Sequence, residues 1–317
     1  MDQNELSMLY THISTSIHFT LPTVAILDLS KQVNNWITEG ECGAIIYGRP
    51  RIGKTRAIMY ISKELKKKYG TTLPVYVLNM TDHKPSEKYF YSELLKAIGH
   101  DEVHKGTVSM LKERLINALI FDAQETQYRR VVLFIDEAFL LTEKDFIWLM
   151  DIHNNLDMQN VHLTVLLFGT SELKGIKTAF CRAKKYQIVD RLMLEEYLYQ
   201  GISSNRDALA CLHNLDIPLT NYHRPLILSQ TFFPNAYDDK KRLASCADML
   251  WDSFCELIEQ NNIADTDIPM KYFMKAIIYC LKTFGAFGKG VYFPTKSNWE
   301  EAVLNSGYLK SISCTEC

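Results

Sequence analysis

Long apolar runs are missing from this chain: the longest, such as Ala276 to Leu281, extend over about six residues, against the roughly eighteen that a membrane span needs. No membrane role is expected. The opening residues, Met1-Asp2-Gln3-Asn4-Glu5, lack the basic and then apolar character of a secretory leader, so a cytoplasmic location is expected. An excess of basic residues is also missing. With 35 Lys and Arg against 37 Asp and Glu, and a net charge of −2, a cationic coat is excluded, and any nucleic-acid site has to be a local patch. Paired cysteine motifs are scarce: among eight scattered cysteines only Cys314 and Cys317 form a C-x-x-C pair. One pair supplies half of a structural zinc site, so no metal is expected there and the cysteines read as reduced core residues. Internal repeats and low-complexity tracts are absent as well, which sets solenoid architectures aside.

What is present is a phosphate-loop pattern. Gly48-Arg49-Pro50-Arg51-Ile52-Gly53-Lys54-Thr55 fits G-x-x-x-x-G-K-[ST], between a strand-like run, Ala44 to Tyr47, and a helix-like run starting at Arg56. In such a loop backbone N–H groups converge on phosphate oxygens and the following helix adds the positive end of its dipole. The nucleotide contacts are therefore expected from Gly48 through Arg56. Lys54 is the expected partner of the β and γ phosphates, and Thr55 would hold Mg²⁺ through its hydroxyl, since that ion prefers oxygen ligands. An ordinary glycine turn would match four such constrained positions by accident about one time in a hundred in a chain of this length.

A second motif matches the first. Val131-Val132-Leu133-Phe134-Ile135 reads as a strand buried on both faces, and it ends in Asp136-Glu137. Ligands in open α/β sheets bind at such carboxyl ends. Asp136 would serve the metal, and Glu137 would polarise the water that attacks the γ-phosphate.

Along the chain, a helical lead-in runs through Ile26, Leu29, Val33 and Trp36 to Gly40. Strands and helices then alternate: Ala44 to Tyr47, Ala57 to Tyr69, Val75 to Met80, Tyr89 to Ile98, Val108 to Phe121, the Val131 strand, a helix opened by Thr142 and Asp145, and Leu163 to Phe168. This alternation predicts a mostly parallel sheet covered by helices. After residue 195 the strand signal fades. Asn205 to Leu215, Lys240 to Glu259, Pro269 to Phe284 and Asn298 to Asn305 read as helices, and Pro218 to Asp239 as a loop-rich connector. The expected division is a lead-in over 1–40, a nucleotide-binding α/β domain over 41–195, a helical lid over 196–265 and a helical extension over 266–317.

Taken together, the phosphate loop, the Asp-Glu strand, a polar-ended strand and a helical lid resemble an AAA+ ATPase, with a RecA-like parallel sheet. In that resemblance Leu163 to Gly169 is the sensor 1 strand, and Thr170 is the polar residue facing the γ-phosphate. More narrowly, the chain resembles transposon-encoded AAA+ regulators of the TniB and TnsC kind. The resembling segments are Phe134 to Ala138 with Leu140-Leu141, Phe168-Gly169-Thr170, Ile188-Val189-Asp190-Arg191-Leu192, Leu209 to Leu219, and Trp299 to Ala302 with Ser306-Gly307-Tyr308. Residues 220–290 match that group poorly, and Arg242 is the arginine available there for a sensor 2 role. Arg51 stands where the group usually has glycine or another small residue, which implies a stiffer loop and hydrolysis that is slow or dependent on a partner.

The resemblance implies ATP and Mg²⁺ as cofactors, a homo-oligomeric ring or filament on double-stranded DNA, and recruitment of a transposase alongside a target-selection protein. It also implies an arginine finger, Arg191 with Arg182 as the alternative, supplied to the neighbouring subunit's nucleotide. Lys105, Thr107 and Lys112, around the start of a helix, are the expected phosphate-backbone contacts. The same motifs also occur in another kind of AAA+ machine, a replication initiator or helicase loader, and in a nucleotide-dependent signalling switch that does not bind DNA.

Overall fold

A computed structural model describes residues 21–124, 126, 128–218, 226–263 and 267–312. The chain folds as two compact units. Of the described residues, one unit takes Asp28–Pro50 and those of Lys54–Tyr199; the other takes those up to Leu27, the loop residues Arg51–Gly53 and those from Gln200 onward.

The first unit is built on five parallel strands: β1 (Gly43–Tyr47), β2 (Val75–Asn79), β3 (Arg130–Asp136), β4 (His162–Gly169) and β5 (Glu195–Leu198), in the order β2-β3-β4-β1-β5. The inner strands are nearly continuous runs of Val, Ile, Leu and Phe because helices cover both faces of the sheet. Ile45, Phe134, Ile135, Leu166 and Leu167 are fully buried. The covering helices are α1 (Val24–Glu39), α2 (Lys54–Tyr69), α3 (Glu87–Ala97), α4 (Val108–Gln124), α5 (Glu143–Asp157), α6 (Glu172–Arg182) and α7 (Tyr186–Leu192). Helix α5 opens with a capping box: the Thr142 side chain accepts from Asp145 N at 3.4 Å, and the Asp145 carboxylate accepts from Thr142 N at 2.7 Å. At Gly43 a Cβ would lie 2.6 Å from the Leu192 backbone, so α7 packs directly on β1 only because this residue has no side chain.

Strand β5 departs from the reading that strands end near residue 195. It opens on Glu195-Glu196 and is only partly buried, so it shows no apolar run. A short, charged strand suits a sheet edge, where it discourages pairing with another chain.

The second unit is helical, with α8 (Asn205–Leu215), α9 (Leu228–Phe232), α10 (Pro234–Asp238), α11 (Ala247–Gln260), α12 (Met270–Phe284), α13 (Lys296–Leu304) and α14 (Tyr308–Ile312). Its core includes Leu212, Leu250, Phe254, Phe273, Ile277 and Trp299. Two short helices occupy the described part of the stretch read as a connector. Each has five residues, too few to show a helical period, although Pro234 marks the start of one. The single helix expected from Lys240 begins instead as a 3₁₀ turn, Leu243–Cys246. There the Asp216 carboxylate accepts the amides of Leu243 and Ala244 at 3.1 and 2.9 Å, so the tight turn has its own cap. Within this unit Arg51 Nη1 donates to the Tyr272 hydroxyl at 2.8 Å.

The six described cysteines are free thiols, while Cys314 and Cys317 lie outside the described residues. Among the described residues, no helix is long and apolar enough to cross a membrane.

A candidate nucleotide-binding site

Strand register brings the motifs to one edge of the sheet. Tyr47 pairs with Gly169, Ile135 with Leu167 and Asn79 with Asp136, so the loops after β1, β3 and β4 leave the sheet side by side. Because β4 lies between β1 and β3, Thr170 follows a strand flanked by the phosphate loop and the Asp-Glu pair. The loop is tied to this edge by Gly48 N, which donates to Gly169 O at 3.2 Å.

The loop turns through left-handed backbone at two positions, Arg51 (φ 65°) and Gly53 (φ 113°). Glycine adopts this region freely, whereas arginine there carries strain of about 1 kcal/mol or more. Gly53 leads directly into Lys54, the first residue of α2. The first amides of a helix have no partner within it, and at this position they suit an anion. Lys54 is 7% exposed, and its Nζ donates to the carbonyls of Gly48 and Arg49 at 2.9 Å each. Burial lowers its pKa, partly offset by Glu137 and Asp136.

Asp136, 4% exposed, is gripped from both sides. The Thr55 hydroxyl donates to its Oδ2 at 2.6 Å, and the Glu137 amide donates to its Oδ1 at 3.0 Å. Glu137 sits in left-handed backbone, φ 53° and ψ 38°. Burial raises its pKa and the Asp136 carboxylate raises it further, against the opposing pull of Lys54. A carboxylate that holds its proton more readily than usual is suited to accept one during catalysis. A hydroxyl beside a carboxylate is a donor set of hard oxygens that fits Mg²⁺, and a lysine at a helix N-terminus fits phosphate. The residues present therefore suit a nucleotide with its metal.

Other expected site residues are placed as follows. Thr170, half-buried, donates through Oγ1 to Glu172 Oε1 at 3.1 Å. Glu172 also contributes to the raised pKa of Glu137 and was not expected from sequence; a glutamate in the first turn of a helix is too common to single out. Arg191, in the last turn of α7, donates through Nη1 to the Asn154 side chain. Arg182 ends α6, is exposed, and has no hydrogen bond or ion pair among the described residues. Arg242 stacks over the Tyr237 ring, 3.6 Å from its centroid, and donates to the carbonyls of Tyr237 and Lys241.

Lys105, Thr107 and Lys112 lie around the start of α4. Both lysines are ion-paired, Lys105 with Glu102 at 3.0 Å and Lys112 with Asp151. Arg114 braces the same loop by donating to the carbonyls of Glu102 and Lys105 at 2.8 and 3.0 Å. Thr107 caps the helix, accepting from Met110 N at 3.4 Å.

Residues 38–176 match the family model of the AAA domain. No curated protein matches the sequence. Among solved structures, the Aeropyrum pernix ORC2 protein in its ADPNP and ADP complexes is 14% identical, with a TM-score of 0.56 over 93% of this chain and 71% of that one. A chain of the Drosophila ORC structure, bound to poly(dA/dT) DNA and Cdc6, is 13% identical, with a TM-score of 0.50 over 88% of this chain and 41% of that one. This chain thus spans less than half of the Drosophila chain's length. At these identities the likeness is one of fold. With the strand order, the phosphate loop and the match of residues 38–176 in agreement, the fold is that of the AAA+ ATPases.

Proposed function

We propose that the chain is an ATP-hydrolysing switch that assembles as a homo-oligomer on double-stranded DNA and recruits another protein machine there. The observation that carries this reading is the grouping of Lys54, Thr55, Asp136 and Glu137 at one sheet edge. Lys54 and the amides opening α2 would bind phosphate, while Thr55 and Asp136 would hold Mg²⁺, which when bound neutralises charge on the phosphate oxygens. Glu137 would orient the attacking water and accept its proton, with Thr170 beside it as a polar contact. Arg191, or Arg182 in its place, would act on the neighbouring subunit's nucleotide.

The structural neighbours include one captured with ADPNP and ADP and one captured on DNA with Cdc6. They favour a replication initiator or helicase loader as the specific role. The second reading, a transposition regulator that couples a transposase to a target-selection protein, is supported by the segments Phe134 to Ala138, Phe168 to Thr170 and Ile188 to Leu192.

The common core is tested by measuring ATP hydrolysis and sedimentation with and without duplex DNA. ATP-dependent assembly stimulated by DNA is expected, and a chain that stays monomeric under all conditions would defeat it. Capture of purified replicative helicase or of purified transposase then separates the two roles.

A further inference from the structure

Away from the nucleotide motifs, the helical unit carries an open groove of about 1240 Å³. It lies between the turn Lys240-Lys241-Arg242, the start of α11 and the segment leading into α13. Its floor is apolar, formed by Met249, Val291 and Pro294, and its rim is basic, formed by Lys240, Lys241 and Lys296.

We infer that this groove is a docking site for a short acidic segment of a partner protein, one that carries an apolar or aromatic side chain as an anchor. The charge balance at the rim points this way. The lining holds Lys240, Lys241, Arg242 and Lys296 and no carboxylate; of the carboxylates nearby, Glu256 pairs with Lys296, while Asp239 and Asp216 keep their charge although they accept the Tyr292 hydroxyl and the Leu243 and Ala244 amides. Lys240 and Lys241 are exposed and have no carboxylate partner among the described residues. Two adjacent cations above an apolar floor complement alternating acidic and apolar side chains.

Nucleic acid fits the same groove less well. Single strands bind basic grooves by stacking bases on aromatic faces, but here the Lys241 ammonium already lies 4.9 Å from the Tyr292 centroid and 5.5 Å from that of Phe293. Arg242 is stacked on Tyr237 and bonded to backbone carbonyls, and Lys296 is paired. Two remaining cations are too few to follow a phosphate backbone, whose binding grows with each phosphate neutralised.

The test is fluorescence anisotropy on the full chain. Three labelled probes of equal charge are used: a short peptide alternating Asp and Glu with Leu and Trp, the same peptide with Ser in place of Leu and Trp, and a single-stranded oligonucleotide. The anchored peptide is expected to bind at least tenfold more tightly than either comparator. Lys240→Glu with Lys241→Glu should lower its affinity at least tenfold while leaving nucleotide affinity unchanged, and Met249→Ala should weaken it with little dependence on salt. If the charge-reversed chain does not fold, Lys240→Gln with Lys241→Gln serves in its place. Equal binding of the serine peptide or the oligonucleotide, undiminished affinity in the lysine variants, or no peptide binding by the unaltered chain would overturn the inference.

Discussion

The Thr55 hydroxyl donates to the Asp136 carboxylate at 2.6 Å, joining two residues 81 positions apart. One opens the helix after β1 and the other ends β3, so this contact exists only when both strands are in register beside β4. It fixes the orientation of Asp136 together with the Glu137 amide on its other oxygen. The oxygens that would hold a divalent cation are thus in place through the fold itself, which is a form of preorganisation.

Replacing Lys54 with alanine should therefore abolish nucleotide binding without unfolding the chain. The lost charge-assisted contacts are worth about 3 kcal/mol, or on the order of a hundredfold in affinity. Titration of the folded variant with a fluorescent ATP analogue measures this, and an unchanged dissociation constant would remove Lys54 from the site.

Glu137→Gln should bind ATP, hydrolyse it slowly and remain assembled longer. Its stability should change as well, and the sign follows from the raised pKa of Glu137, caused by burial and then by Asp136. With the folded-state pKa above the unfolded one, protonation favours the fold. That contribution is complete below the unfolded pKa and is lost as pH rises through the folded one. Glutamine carries no such loss, so the variant should melt above the unaltered chain at about pH 8, with the two converging as pH approaches the carboxylate range near 4. Hydrolysis by the unaltered chain should correspondingly fade on acidification at a pH above the ordinary glutamate range. Identical melting curves at both pH values would contradict the assignment of Glu137 as a desolvated carboxylate.

Much of this arrangement is legible in the sequence because the signals are local. Phe134-Ile135 before Asp136-Glu137 announces a buried strand with carboxylates at its end, and Thr142 three residues before Asp145 announces a helix start. Strand β5 is not legible, because an edge strand beginning Glu195-Glu196 owes its existence to pairing with β1 rather than to its own composition. The pairing of Lys112 with Asp151 is equally hidden, since it depends on how α4 lies against α5. Glu172 becomes visible only once β3 and β4 are side by side.

Asp145 is fully buried and accepts from the Thr142 amide at 2.7 Å and its hydroxyl at 2.6 Å, with His83 Nε2 at 3.2 Å. Asp145→Ala removes the carboxylate half of the α5 capping box and strands buried donors. A loss of about 2–4 kcal/mol is expected, and Asp145→Asn should lose less. Chemical denaturation measures both, and a loss below 1 kcal/mol in the alanine variant would mean that the capping box contributes little.

The proposed completion of the site by a neighbouring subunit's arginine predicts a mixing effect. Arg191→Ala mixed with Glu137→Gln should hydrolyse ATP faster than either variant alone, because some interfaces then contain both intact groups. Arg182→Ala in the same mixture is the comparison, since Arg182 is exposed and unpaired among the described residues while Arg191 bonds to Asn154. Rescue with Arg182→Ala and none with Arg191→Ala would move the finger to Arg182.

The DNA path makes the most exposed prediction. Lys105 and Lys112 are expected to face phosphate, yet each is paired with a carboxylate, Glu102 or Asp151. Binding DNA through them requires those pairs to exchange for phosphate contacts. The exposed Lys105–Glu102 pair is worth at most about 1 kcal/mol, and the Lys112–Asp151 pair is half-buried, so displacing both needs a phosphate held by several subunits at once. Assembly on duplex DNA should then require ATP, show little sequence preference and weaken steeply with salt. Lys105→Glu with Lys112→Glu should abolish that assembly while leaving nucleotide affinity unchanged. Glu102→Gln should strengthen it by freeing Lys105. Electron microscopy and salt titration at matched protein concentration read both effects. Wild-type assembly by the double lysine variant would place the DNA on another surface and leave these pairs as braces of the α4 loop.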